Sequence, residues 1–142
     1  MLQRELKAKI ISRTMVGKEW KKYDGFVFIG AMGICVRTIA PLVNDKHEDP
    51  AVVCVDSMGL NAISVLSGHI GGANDLAREV AGIIGGREVI TTQSDNAGLW
   101  ALDTFAERFN WAIASDDDMN ECIFAFVNRE PTALLMEICD EI

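Results

Sequence analysis

Over the first ninety residues, short apolar runs alternate with segments whose apolar residues recur at helical spacing. Apolar runs bounded by turn residues predict strands at 26–29, 51–55, 60–66 and 88–92. Apolar residues three and four positions apart predict helices at 33–40, 73–84 and 99–109. Because strands and helices alternate, the pattern predicts an α/β fold, a layered sandwich of short strands and helices with glycine-rich strand-to-helix loops.

The connections add three further predictions. Residues 56–59, DSMG, separate two predicted strands and predict a hairpin in which Gly59 has a positive φ. Residues 115–118, SDDD, indicate a helix N-terminus rather than a metal site, because EF-hand spacing is absent. Residues 132–142 predict a last helix, whereas 123–127 fits either a helix or a strand.

The charged residues are distributed unevenly along the 142-residue chain, whose formal net charge is −8. Up to Arg87, 11 basic residues exceed 9 acidic ones by two, whereas 12 acidic and two basic residues follow from Glu88, a balance of −10. This change predicts an α/β domain over 1–92 and the start of a second region over 93–142. An acidic protein is a poor ligand for nucleic acid, so we expect none as a partner.

The chain carries none of the usual marks of secretion or membrane insertion. No apolar run reaches the roughly 18 residues of a membrane span, and the N-terminus lacks the apolar stretch of a signal peptide. The four cysteines have apolar neighbours and form no CxxC pair, which indicates buried reduced thiols rather than a metal or disulfide framework. We therefore expect a cytoplasmic protein with no membrane partner.

Two segments have the form of a strand, a glycine loop and a helix start, a form that aims N–H groups and the helix dipole at an anion. In the first, we expect Gly30, Ala31, Gly33 and Arg37 to bind substrate. Close strand and helix packing is an alternative role for the two glycines. An ion pair with an acidic residue of the loop 44–50, Asp45 or Glu48, is the alternative for Arg37.

The second segment, LSGHIGGAND, contains His69 between glycines at the start of a predicted helix. A neutral imidazole accepts a proton near pH 7, so His69 is our candidate general base, with a capping or hydrogen-bonding role as the alternative. The candidate substrate-binding residues here are Ser67, Gly68, Gly71, Gly72, Asn74 and Asp75. His47, in the polar segment KHEDP, is interpreted as solvated.

Neither glycine loop matches a nucleotide-binding fingerprint. GAMGIC lacks the third glycine of a dinucleotide loop, and SGHIGG lacks the lysine of a P-loop. The pattern GxSxG is also absent around Ser67, which argues against a serine hydrolase. A nucleotide-type anion binder remains a minor alternative.

Three long strings, VRTIAPL, DPAVVCVD and SGHIGGANDLA, resemble the N-terminal region of the CbiG family of cobalt-precorrin-5A hydrolases, over about residues 23–92. The resemblance implies a hydrolase of anaerobic cobalamin biosynthesis that opens the δ-lactone of a cobalt corrinoid and releases acetaldehyde. The implied partner is an anionic corrinoid, and cobalt enters within that substrate, so no separate cofactor or protein metal site is expected. His69 and the N–H groups of Gly71 and Gly72 would then supply the base and the oxyanion donors.

The resemblance also implies parts beyond this chain. Full-length members of the family carry a C-terminal domain related to the CobE proteins, and some are fused to corrin-ring methyltransferases. We therefore expect that the isolated chain binds weakly or is inactive. The competing hypothesis is a non-catalytic corrinoid-binding or scaffolding module.

Overall fold

The computed structural model describes residues 1–114 and 117–136. It divides into two compact units, Met1–Thr92 and Gln93–Ile142. The elements of the first unit are α1 (Leu2–Glu5), α2 (Val16–Glu19), β1 (Gly25–Ile29), α3 (Met32–Ile39), β2 (Ala51–Val55), β3 (Asn61–Leu66), α4 (Ala73–Ile84) and β4 (Arg87–Val89), with a 3₁₀ turn at Arg13–Met15.

The first unit is built on a four-stranded sheet of order β1-β2-β3-β4. β1 is parallel to β2, with α3 as the crossover, and β3 is parallel to β4, with α4 as the crossover. The short connection between β2 and β3 makes that central pair antiparallel. The sheet therefore consists of two βαβ units that run in opposite directions.

Alternate residues of β2 enter two different cores, as the two-residue period of a strand requires. Val53 and Val55 pack with the small residues of α4, and Leu2 and Leu6 lie against the same cluster. On the other face of the sheet, Phe26, Val52 and Cys54 form a cluster with residues before and within α3, namely Val16, Trp20, Cys35 and Ile39. The sheet is thus covered on both sides, which confirms the predicted α/β layers.

Asp56 stabilises the hairpin predicted between β2 and β3. Its carboxylate accepts hydrogen bonds from the N–H groups of Met58 at 2.9 Å, Leu60 at 3.1 Å and Asn61 at 2.6 Å. Burial raises the pKa of Asp56, but these N–H groups lower the pKa by more, so the net shift is downward. Gly59 has a φ of 68°, which confirms the predicted positive φ.

Most predicted elements of the first unit are confirmed within one or two residues. β2 and α4 have the predicted bounds, and α3 begins one residue early, at Met32. The last strand is shorter than predicted because β4 pairs with only three residues of β3, Asn61 to Ile63. Thr92, which was predicted to lie in that strand, instead accepts a side-chain hydrogen bond.

The second unit contains α5 (Gln93–Asn96), α6 (Leu102–Phe105), a 3₁₀ turn at Ala106–Phe109 and α7 (Met119–Val127). The helix predicted over 99–109 is therefore shorter and ends in the 3₁₀ turn. The ambiguous segment 123–127 lies in α7, where Asp118 caps the N-terminus by accepting from the N–H groups of Asn120 and Glu121. Ser115 and Asp116 of the predicted cap lie outside the described residues.

The predicted C-terminal helix is wrong where the structure describes it. Residues 132–136 are not helical, and 137–142 lie outside the described residues. Leu135 is 94% exposed, so the apolar face on which the prediction relied is not packed against anything there. Short helices without a packed face are marginal in water.

Cys35 and Cys54 are free and buried, as predicted, whereas Cys122 is free but only partly buried; Cys139 lies outside the described residues. Within the described residues, no helix combines the length and apolar character needed to cross a membrane.

Candidate functional site

The two glycine loops lie at opposite edges of the sheet. Gly30 follows β1 and donates its N–H to the carbonyl of Val55, at the end of β2. Leu66, which precedes the second loop, pairs with Val52 near the start of β2. Five residues of strand, at about 3.3 Å each, put roughly 16 Å between these edges. The two sets of candidate substrate-binding residues therefore do not form one site.

At the first edge, Gly30 has a φ of 147°, in the region that favours glycine. A Cβ on Gly33 would contact nothing within 4 Å, so close packing does not explain that glycine. Arg37 is exposed and, within residues 1–114 and 117–136, forms no ion pair with Asp45 or Glu48. Substrate binding by Gly30, Ala31, Gly33 and Arg37 stays a prediction, and it concerns a place away from His69.

The buried thiols of Cys35 and Cys54 lie beneath this first loop. Cys54 Sγ donates to the carbonyl of Gly30 at 3.5 Å. Burial, and then the neighbouring Cys54, raise the pKa of Cys35 to about 12. A thiol held protonated in this way is a poor nucleophile, so we assign this pair to the core rather than to catalysis.

The second loop is held in a tight conformation. Ser67 has a φ of 57°, which is uncommon for a residue with a side chain and is a form of strain often found at functional sites. A Cβ on Gly71 would lie 2.3 Å from Ser67 Cβ, and a Cβ on Gly68 would lie 2.9 Å from Asn74 Oδ1. Glycine is thus required at Gly68 and Gly71 because residues of the loop itself and of α4 lie too close to leave room for a side chain.

Backbone hydrogen bonds close the loop onto α4. The N–H groups of Gly72 and Ala73 donate to the carbonyls of His69 and Ser67, each at 3.0 Å. Gly72 N–H is therefore engaged and is not a free oxyanion donor, which corrects the expected pair Gly71 and Gly72. In the part of the chain that the structure describes, Ile70 and Gly71 have N–H groups without an acceptor.

Asn74 and Asp75 differ sharply in their surroundings. Asn74 is 3% exposed; its Oδ1 accepts from Ser64 Oγ at 2.7 Å, and its Nδ2 donates to Thr92 Oγ1 at 3.0 Å. These bonds tie the start of α4 to β3 and to the segment after β4, so Asn74 positions the loop from beneath. Asp75 is exposed and pairs with Arg78 at 2.8 Å.

Asp49, which is 6% exposed, joins three segments beside the second loop. Its Oδ1 accepts from Trp20 Nε1 at 3.4 Å, and its Oδ2 accepts from the N–H of Asn44 at 2.8 Å. Its carbonyl accepts from Ser67 Oγ at 2.9 Å. The Ser67 hydroxyl is therefore engaged in holding the loop. Asp49 was not among the residues predicted to be functional, although an acidic residue directly before Pro50 and a wholly apolar strand was a usable signal.

A cavity of about 440 Å³ opens at this edge. Twelve residues line it: Trp20, Lys21, Tyr23, Asp24, Leu42, Asn44, His47, Glu48, Asp49, Pro50, Ile70 and Gly71. Ile70 and Gly71, whose N–H groups have no acceptor among the described residues, are two of these lining residues. His69 is half-buried and immediately precedes them along the chain. His47 is exposed, as predicted, but it also lines the cavity, which the sequence interpretation missed.

The arrangement is suited to polar chemistry on a small neutral or weakly charged group. Two residues whose backbone N–H groups have no acceptor among the described residues line a space with apolar side chains on part of its wall. His69, which is not itself a lining residue, precedes them and follows the strained Ser67 by two residues. Among the described residues, no group of three or more histidine, cysteine or acidic side chains is placed to hold a metal ion.

The family model for the N-terminal region of cobalamin synthesis protein G matches residues 14–95, more than half of the chain. The chain belongs to the CbiG family. The model of the cobalamin biosynthesis central region matches residues 100–142. The first match includes the whole sheet, the second glycine loop and all residues that line the cavity.

Two relatives named cobalt-precorrin-5A hydrolase extend the comparison. The protein of Priestia megaterium is 43% identical over 125 residues, which are 88% of this chain and 33% of the relative. The protein of Salmonella typhimurium is 56% identical over 88 residues, which are 62% of this chain and 25% of the relative. The chain thus spans a third or less of the length of these relatives.

Among solved structures, a cobalamin biosynthesis protein G homologue from Sulfolobus solfataricus is similar, with 38% identity and a TM-score of 0.49. The likeness covers 54% of this chain and 24% of that one.

Proposed function

We propose that the chain is the part of a cobalt-precorrin-5A hydrolase that holds the lactone of the substrate, in the cytoplasmic synthesis of cobalamin. The observation that carries the proposal is the family match over residues 14–95, because these residues include the second glycine loop and its cavity. The hydrolases of Priestia and Salmonella support the same activity. Cobalt enters within the corrinoid, so we assign no separate cofactor to the chain.

Lactone opening requires that negative charge be stabilised on the carbonyl oxygen while water adds to the carbon. The N–H groups of Ile70 and Gly71 are consecutive and have no acceptor among the described residues, and both residues line the cavity. They are suited to donate to that oxygen, and the tight loop around them fixes their directions before substrate arrives. The donors are thus preorganised, which is the property that makes an oxyanion hole effective.

His69 is our candidate for the base that takes a proton from the attacking water. It lies one residue before these donors, and its own carbonyl is held by the N–H of Gly72. After water adds, the acyl C–O bond breaks and leaves a carboxylate on the corrinoid and an alkoxide on the two-carbon unit. Collapse of that alkoxide to acetaldehyde breaks its bond to the macrocycle, where the electron pair remains.

The test is to mix the chain with cobalt-precorrin-5A under reducing, anaerobic conditions and to measure acetaldehyde with a coupled alcohol dehydrogenase. The chain alone is expected to release little acetaldehyde. The chain supplemented by the remaining two thirds of the Priestia relative is expected to release acetaldehyde in proportion to the corrinoid consumed, because other parts complete the site. Binding of the corrinoid without release in either assay would contradict the proposal and support a non-catalytic module.

A further inference from the structure

The cavity beside the second loop carries more acidic than basic groups. Asp24, Glu48 and Asp49 line it, and Lys21 is the one lysine or arginine among the twelve lining residues. With His47 neutral, the formal charge of these side chains is −2. Such a wall opposes the entry of a carboxylate and is indifferent to a neutral ester.

The three acids do not have equal roles. Asp49 is buried, and its carboxylate already accepts hydrogen bonds from Trp20 and from the backbone of Asn44. Asp24 and Glu48 are exposed, and neither forms an ion pair within the described parts of the chain. Asp24 and Glu48, here called the acidic rim, therefore present unneutralised charge to whatever enters the cavity.

We propose that the acidic rim determines specificity: it admits the neutral lactone edge of the corrinoid and disfavours both its free carboxylate arms and the carboxylate that hydrolysis creates. This inference rests on the proposed function, because hydrolysis is what converts the neutral ester into an anion. The reaction breaks the acyl C–O bond and adds one negative charge inside the cavity. The product is thus repelled where the substrate was not, which favours its release.

Isosteric neutral variants isolate this effect. The double variant Asp24→Asn and Glu48→Gln removes two charges while it keeps the shape of the wall, and Glu79→Gln, on the exposed face of α4, removes one charge away from the cavity. Dissociation constants are measured on the full chain by visible absorbance titration with two probes, cobalt-precorrin-5A and its lactone-opened acid. Each titration is repeated at high salt.

We expect the double variant to bind the acid about three- to tenfold more tightly, as removal of nearby like charges in a partly solvated site implies. Binding of the lactone should change less than twofold, and the gain for the acid should shrink at high salt. Glu79→Gln should leave both constants unchanged. Where acetaldehyde is formed, inhibition by the acid should strengthen in parallel.

Three results would overturn the inference. These are equal changes for lactone and acid in the double variant, no change for the acid, and failure of the wild-type chain to bind either probe. The proposed function fails separately: binding of the lactone without acetaldehyde release removes the enzymatic activity, whereas the selectivity of the rim is read from the two dissociation constants alone.

Discussion

Replacement of Gly71 by alanine tests the geometry of the second loop directly. The new methyl group would lie 2.3 Å from Ser67 Cβ, 3.0 Å from the Ser67 carbonyl oxygen and 3.3 Å from that of Asp49. The first distance is far inside van der Waals contact, and two of the neighbours are backbone atoms, so relief requires movement of the loop. Overpacking of this kind costs about 1–3 kcal/mol of unfolding free energy.

Gly82→Ala is the matched control. Gly82 lies within α4, and a Cβ there would contact nothing within 4 Å. Because glycine within a helix is less favourable than alanine, this substitution should raise stability by about 0.5–1 kcal/mol. The two alanine substitutions in this unit are therefore expected to change the unfolding free energy in opposite directions.

Urea unfolding followed by far-ultraviolet circular dichroism measures both variants, and calorimetry gives the melting temperature. For a unit of 92 residues, each kcal/mol shifts the melting temperature by about 4–8 °C. If the unfolding free energy of Gly71→Ala lay within about 0.5 kcal/mol of the wild-type value, or if Gly82→Ala proved the more destabilising change, the described loop geometry would be refuted.

Three further predictions concern buried or hydrogen-bonded groups. Asn74→Ala should lower the unfolding free energy by about 1–3 kcal/mol, because Ser64 and Thr92 lose their hydrogen-bond partner. Substitution of the exposed Asn96 by alanine should leave the unfolding free energy almost unchanged in the same urea titrations. The pKa of Cys35 is raised to about 12 from 9.0, so the unfolded chain loses this proton first and stability should fall as pH rises from 9.0 to about 12. Cys35→Ala should lessen that slope, by up to about 1.4 kcal/mol per pH unit, and an unchanged slope would contradict the assignment. The pKa of Asp56 is lowered, so its contribution should be lost as pH falls through the carboxyl range, and the acid dependence should weaken in Asp56→Asn.

The main strands and helices of the first unit were predictable because their apolar residues form runs or helical repeats over four or more positions. The relation between the loops was also implied, although it was not inferred. A hairpin between 51–55 and 60–66 makes those strands antiparallel, whereas the crossover helix before Ala51 makes β1 and β2 parallel. Loops after β1 and β3 must then lie at opposite edges of the sheet.

The cavity could not be predicted in this way. Its wall depends on contacts between residues far apart in the chain, such as Trp20 with Asp49, and no local period encodes such a pairing. His47 lies in a run of polar residues, and that composition indicates a solvated loop whether or not a cavity lies beneath it. The part of the predicted C-terminal helix that the structure describes, 132–136, is not helical for a related reason, since its apolar residues Leu134, Leu135 and Met136 are exposed and have no surface to pack against.

The role of Gly72 shows a limit of motif interpretation. The glycine-rich string correctly indicated a loop with free N–H groups, but which groups are free depends on how the loop closes. Gly72 donates to the carbonyl of His69, and the groups without an acceptor among the described residues are those of Ile70 and Gly71. Side-chain identity cannot separate these cases, because every non-proline residue carries the same N–H group.

The central claim is that lactone opening depends on His69 beside the cavity, and the rate of acetaldehyde formation by His69→Ala tests it most directly. Cobalt-precorrin-5A is the substrate, the polypeptide is the form found active in the assay above, and Glu79→Gln is the surface control. The account predicts a loss of about 10²- to 10⁴-fold in kcat for His69→Ala, with corrinoid binding retained and the control unchanged. A His69→Ala protein that forms acetaldehyde at a near-normal rate would contradict it.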